Sequence, residues 1–162
     1  MTYWRHSVET SAGAGVASGE RRENGMLRGM ANVSLWADDL EAARDWYAEV
    51  LGAEPYFSKA GPDGRVGYYE FRVGDRRDEV GLIDARFAPP GHAPGPGGAI
   101  LSWHVDDLEG SLARLLELGA VPHEGITPRG EGFVTASVVD PFGNVLGIMT
   151  NPHWLEMLAA GR

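Results

Sequence analysis

The chain has 162 residues, no cysteine and a formal net charge of -9, which excludes disulfides, thiolate nucleophiles and zinc–thiolate centres. Its 14 Lys and Arg against 23 Asp and Glu disfavour nucleic acid and anionic membrane surfaces as partners and leave neutral or cationic ones. At 43% hydrophobic residues the composition is that of a globular protein; no apolar run approaches the roughly 20 residues of a membrane span, and with no apolar signal core at the N-terminus the cytoplasm is the expected compartment.

Residues 1–26, including SAGAGVASGERRENG, mix Gly, Ala, Ser and charge without periodicity and are expected to form a flexible extension. A first module is expected over residues 27–86. It opens with the strand-like run ANVSLWA and continues into DDLEAARDWYAEVLGA, where Leu40, Ala43, Trp46, Tyr47 and Val50 recur at helical spacing. Asp38 is placed to cap this helix, Glu41 follows three positions later in the manner of a capping box, and Gly52 is placed to end it. Trp46 and Tyr47 are read as core. A short strand around residues 54–58 and the runs VGYYEFRV and EVGLIDARF complete the module.

Residues 87–98 are so rich in Pro and Gly that neither helix nor central strand survives there, and they are read as a linker. A second module, residues 99–150, then repeats the first. AILSWHV is followed by DDLEGSLARLLELGA, with Asp106 as cap, Glu109 behind it, Leu108, Leu112, Leu115 and Leu116 at helical spacing, and Gly119 at the end. A short strand over residues 121–124 and the runs FVTASVV and NVLGIMT follow, the last two joined by the turn Asp140-Pro141-Phe142-Gly143-Asn144. Residues 151–162 carry PHWLEMLAA, a short helix expected to pack Trp154, Leu155 and Leu158 against the fold or a partner chain. The fold class is α+β, with two tandem β-α-β-β-β modules.

The doubled β-α-β-β-β pattern, the helix signature DLEAARDWYAEVLG and the DPFGN turn resemble the vicinal oxygen chelate superfamily, which includes glyoxalase I, extradiol dioxygenases, fosfomycin-resistance enzymes and bleomycin-resistance proteins. The resemblance covers about residues 27–151. It implies that the modules curl their sheets into a U-shaped cleft flanked by helices. It also implies that metal-dependent members place ligands on the first and last strand of each module, His or Gln on first strands and Glu on last ones. Carried onto this chain, those positions are Asn32 and Gly81 in the first module, Ile100 and Gly147 in the second. Glycine and isoleucine offer no side-chain donor, and one carboxamide does not hold a divalent ion. The family's metal site, and any cofactor, is therefore expected to be absent.

Strand alternation from those positions sets out a cleft face. Asn32, Ser34, Trp36, Ile100, Ser102 and His104 face inward from first strands, and Gly81, Ile83, Gly147 and Met149 from last strands. The opposite register, Val33, Leu35, Leu101, Trp103 and Val105, is apolar and faces the helices. The two glycines either make room for a bulky flat ligand or mark where no side chain is required any longer. Trp36 is a stacking candidate. His104, Glu79 and Glu70 are the candidate acid–base residues. On the third strand either Tyr68, Glu70 and Arg72 or Tyr69 and Phe71 turn toward the cleft. No nucleophile elbow, phosphate loop, HExxH or dinucleotide fingerprint is present. The expected function is metal-independent binding of an aromatic or cationic small molecule, of the bleomycin-resistance type. The alternative is an enzyme of the same superfamily working by acid–base chemistry or an atypical metal. A homodimer is expected, because open sheet edges need covering.

Overall fold

The structure is a computed structural model and describes residues 31–88, 95 and 99–161. The extension expected over residues 1–26 and most of the 87–98 linker lie outside those residues. The elements run β1 (Asn32–Ala37), α1 (Leu40–Leu51), β2 (Phe57–Ala60), β3 (Val66–Val73), β4 (Asp78–Asp84), β5 (Leu101–His104), α2 (Leu108–Glu117), β6 (Val121–Gly130), β7 (Phe133–Val139), β8 (Val145–Thr150) and α3 (Pro152–Ala159). They form two four-stranded sheets of order β1-β4-β3-β2 and β5-β8-β7-β6. In each, the first strand lies parallel to the last and the other pairs are antiparallel. The two expected β-α-β-β-β modules are thus present, as curled mixed sheets.

Each sheet buries one face on its helix, as alternation requires. In the first module Ala37, Tyr69, Phe71, Val73, Val80 and Leu82 meet Leu40, Ala43 and Tyr47 of α1. In the second, Ala136, Val138, Leu146 and Ile148 meet Leu108 and Leu115 of α2. Trp46 and Trp103 pack against both clusters, so the two cores are continuous. Polar ties cross the same boundary. Tyr47 donates its hydroxyl to Asp140 at 2.5 Å, and Trp46 Nε1 donates to the Leu118 carbonyl at 2.7 Å. Asn144 accepts from the Trp36 N–H at 3.2 Å and donates to the Trp36 carbonyl at 3.0 Å, supplying the edge of β1 with the partners a neighbouring strand would offer. Trp46 and Tyr47 are core, as expected.

Four local readings are corrected. The helix caps are Asp39 and Asp107, which accept from Ala42 N and Gly110 N, both at 3.0 Å; Asp38 sits in the bend leaving β1. This shift places Glu41 inside the first turn, where it pairs with Arg44 and accepts from the Tyr69 hydroxyl rather than closing a capping box. The second strand of the first module starts at Phe57, later than expected, because Gly52 ends α1 in the left-handed region and Pro55 has no N–H to pair. β6 runs to Gly130 instead of stopping near residue 124, with three shifts of register against β7. An edge strand with such irregularities accommodates Pro122 and Pro128, which a central strand would not. Finally, the run EVGLIDARF leaves the sheet at Asp84, whose carboxylate accepts from Arg86 N and starts a 3-10 turn over Ala85–Phe87.

Candidate ligand-binding site

The face of the first sheet turned away from its core carries the residues that alternate with Val33, Leu35, Val80 and Leu82. Asn32, Ser34 and Trp36 of β1 lie beside Glu79, Gly81 and Ile83 of β4. Across β4, Arg72, Glu70 and Tyr68 of β3 oppose Glu79, Gly81 and Ile83, so this set lies opposite the core that Tyr69 and Phe71 enter. Phe57 of β2 opposes Glu70.

Glu70 is the centre of this face. Its Oε1 accepts from Asn32 Nδ2 at 3.0 Å and from the Tyr68 hydroxyl at 2.8 Å, and its Oε2 accepts from the Tyr56 hydroxyl at 2.7 Å. The Tyr56 oxygen also lies 3.0 Å from Glu79 Oε1. One hydroxyl has one proton, so it serves one carboxylate at a time. Arg72 reaches Glu79 at 3.4 Å and lays its guanidinium 4.0 Å from the centre of the Tyr56 ring, a cation–π contact. The hydrogen bond to Glu70, with a smaller part from desolvation, pushes the Tyr56 phenol up to about 12. Burial, then the bond to Glu70, raises Tyr68. Both phenols are therefore protonated donors at neutral pH. Tyr56 and Phe57 are each 45% exposed, an aromatic rim around a polar floor.

The chain's own atoms fill the space over both glycines. A Cβ on Gly81 would stand 2.8 Å from Tyr68 Cε2 and from its hydroxyl oxygen. The missing side chain is what lets the Tyr68 ring lie across the strand and reach Glu70. A Cβ on Gly147 would meet Ser102 Oγ at 2.7 Å, Ile100 Cγ2 at 2.8 Å and the Leu101 carbonyl oxygen at 3.0 Å, a close approach of β5 to β8. Ile100 itself precedes β5 and is exposed.

These four positions do not fit a metal ion. Asn32 Oδ1 already accepts from Ser34 Oγ at 3.0 Å and its amide nitrogen donates to Glu70; Ile100 brings hydrocarbon; the glycines are covered by Tyr68 and by Ser102 with Ile100. Among the described residues no group of three or more His, Asp or Glu side chains is arranged to hold a metal.

In the second module Ser102 lies beside Gly147 and His104 beside Met149. His104 is mostly buried. Its Nδ1 accepts from the Asn151 N–H at 3.1 Å, and Trp154 of α3 stacks on its ring at 4.6 Å and 17°. Among the described residues no hydrogen bond or ion pair joins it to Glu70 or Glu79, so the three acid–base candidates do not form one constellation. Ser137, opposite Gly147 on β7, is buried with its Oγ 2.9 Å from His123 Nδ1. A groove of about 410 Å³ at the β2 edge shares Tyr56 and Phe57 with the Glu70 face and is lined further by Arg44, Asp45, Glu54 and Tyr69. Its arginine is spent on Glu41 and Asp45.

The sequence names Glu70 as an acid–base candidate and leaves open whether Tyr68 and Arg72 or Tyr69 and Phe71 turn toward the cleft; the structure puts Tyr68, Glu70 and Arg72 opposite the core. Sequence reasoning passed over Tyr56, whose role depends on how β2 pairs, and which no pattern in the chain marks. The alternation of Tyr68, Glu70 and Arg72 between apolar neighbours was the signal available for the other two.

The family model described as Glyoxalase/Bleomycin resistance protein/Dioxygenase superfamily matches residues 29–148. No curated protein matches the sequence. Similar solved structures include a glyoxalase-related enzyme from Fulvimarina pelagi, at 21% identity and TM-score 0.61, covering 78% of this chain and 90% of that one. A superfamily member from Sphaerobacter thermophilus aligns at 21% identity and TM-score 0.62, covering 78% of this chain and 99% of that one. A lactoylglutathione lyase from Agrobacterium tumefaciens aligns at 23% identity and TM-score 0.56, covering 79% of this chain and 97% of that one.

Proposed function

Given that the chain belongs to the Glyoxalase/Bleomycin resistance protein/Dioxygenase superfamily, we propose that it binds an aromatic or cationic small molecule in the hollow of its first module, without a metal. The observation that carries this reading is the Glu70 cluster: a carboxylate held by Asn32, Tyr68 and Tyr56, with a second carboxylate at Glu79 and exposed rings of Tyr56 and Phe57 at the rim. Flat aromatic rings gain dispersion and quadrupole contacts from such a rim, and a positive nitrogen gains a charge-assisted bond to the floor. The net charge of -9 adds a long-range attraction for cations. Superfamily membership supplies the fold and leaves the chemistry to the site. The residues present give no support to metal-assisted turnover, since none of the four family positions offers a free donor.

The test is a thermal-shift panel of aromatic cations led by benzamidine, with benzamide and benzoate as neutral and anionic counterparts. Cations are expected to raise the melting temperature most, by the equivalent of about 2.7 kcal/mol at roughly one hundred times Kd, and Glu70→Gln is expected to remove the preference. Stoichiometric zinc, iron or nickel in protein purified without a chelator, lost on Asn32→Ala, would overturn the reading.

We also propose that two copies pair. β2 and β6 are edge strands of their sheets, as β1 and β5 are, and Phe57, Val121 and Ile126 are exposed on them. Sedimentation at twice the chain mass is the expected result, and a monomer at all concentrations would refute it.

A further inference from the structure

His104 plays no part in that reading, yet it is one of the most constrained polar side chains in the molecule. Its side chain is 9% exposed. The Asn151 N–H donates to Nδ1, so Nδ1 holds a lone pair and the ring proton is on Nε2. Nε2 is buried with no hydrogen-bond partner. Asp106 Oδ1 stands 3.5 Å from it without completing a bond, on a side chain that is 96% exposed. Trp154 covers the ring face.

Two of these contacts come from the root of α3. Asn151 is the helix cap, its Oδ1 accepting from Trp154 N at 2.9 Å, and Pro152 opens the first turn. The helix has no fully buried residue, and Leu155 is exposed. A helix so lightly embedded depends on its anchor.

We propose that α3 is a cover latched onto the second sheet through neutral His104, and that protonation of His104 releases it. The incoming proton adds to the Nδ1 lone pair. Nδ1–H and the Asn151 N–H then face each other as two donors, the bond between them is lost, and a backbone N–H is left unpaired at the helix root. The charged ring keeps Nε2–H toward Asp106. The groups around the ring are few. Asp106, from the bend before α2, is exposed and stands 3.5 Å from Nε2. On α3, His153 and Glu156 are exposed and lie 3.7 Å from each other. Asp107 is spent capping Gly110 N. The sheet neighbours Ser102 and Met149 do not titrate. Release uncovers the His104 ring, beside Ser102, which is exposed already, to solvent or to a ligand.

The experiment is hydrogen exchange on the full chain, following the α3 amides from about pH 7.5 to about 5.5 with the intrinsic exchange rate divided out. Protection is expected to fall about tenfold or more, as loss of one buried hydrogen bond implies. His104→Asn keeps an acceptor, Oδ1, where Nδ1 stood and does not titrate; its α3 is expected to stay protected across the range. His153→Gln is expected to leave the release in place. An unchanged α3 in the native chain overturns the proposal, as does equal release in His104→Asn or a release that follows His153. If His104→Asn does not fold, a loss of α3 protection in the native chain that does not follow the His104 ring resonances over the same pH range overturns it alone.

Discussion

Tyr68 and Gly81 act as one unit. The ring lies where a side chain at residue 81 would be, so a methyl group there would press on the far end of a rotatable side chain. At Gly147 the same methyl would also press on the Leu101 carbonyl, which the strand holds in place. Gly147→Ala is therefore expected to destabilise more than Gly81→Ala, by about 1–3 kcal/mol in denaturant midpoints for an overpacked site. Gly81→Ala is expected to spend its effect on Tyr68 instead, weakening ligand affinity about as much as Tyr68→Phe. A second single-residue test uses Tyr47. Burial first, then Asp140, holds its phenol well above the 10.0 of a free side chain. Its share of stability is complete below pH 10 and is lost as the pH rises through the folded value, because the unfolded chain releases that proton first. Tyr47→Phe is expected to be less stable at pH 8 by about 1 kcal/mol and to show a shallower loss between about pH 10 and 11 in urea titrations.

Among the elements, the turn between β7 and β8 does the most joining. Asp140 is buried and accepts from Tyr47, from Phe142 N, and from both the backbone and the side chain of Asn144. Asn144 in turn binds both backbone groups of Trp36. Asn144→Ala is expected to cost about 1–3 kcal/mol by leaving those groups and Asp140 short of partners, and hydrogen exchange is expected to rise at the Trp36 amide rather than in β8. The strand–turn–strand reading of DPFGN came directly from the sequence. That its asparagine would close the edge of a strand 108 residues away did not, because such a contact exists only once the two modules are packed. β6 shows the same limit. Its prolines argue for a loop locally, and only its place at the edge of the sheet lets the strand run on past them.

At the scale of the whole molecule, repetition made the architecture readable. Two copies of an Asp-Asp-Leu-Glu helix ending in Leu-Gly-Ala, each between strands, implied the two modules that the sheets display. The polarity of the concave face followed from alternation. What occupies that face did not, since Tyr56 reaches Glu70 only through the way β2 pairs, and Trp154 covers His104 from α3, which follows the second module. Both modules share a fold, and the faces their sheets turn away from the core differ: one carries Tyr56 and Phe57 beside carboxylates, the other His104 under Trp154 of α3.

The central claim is that the first hollow works with its own hydrogen-bond donors and carboxylates in place of a metal. Calorimetric titration of the protein with benzamidine in excess EDTA tests it most directly. The expected result is saturable binding at one ligand per chain, unchanged by EDTA and lost in Glu70→Gln. Binding that appears only when zinc or nickel is added back, and that survives Glu70→Gln, would contradict it.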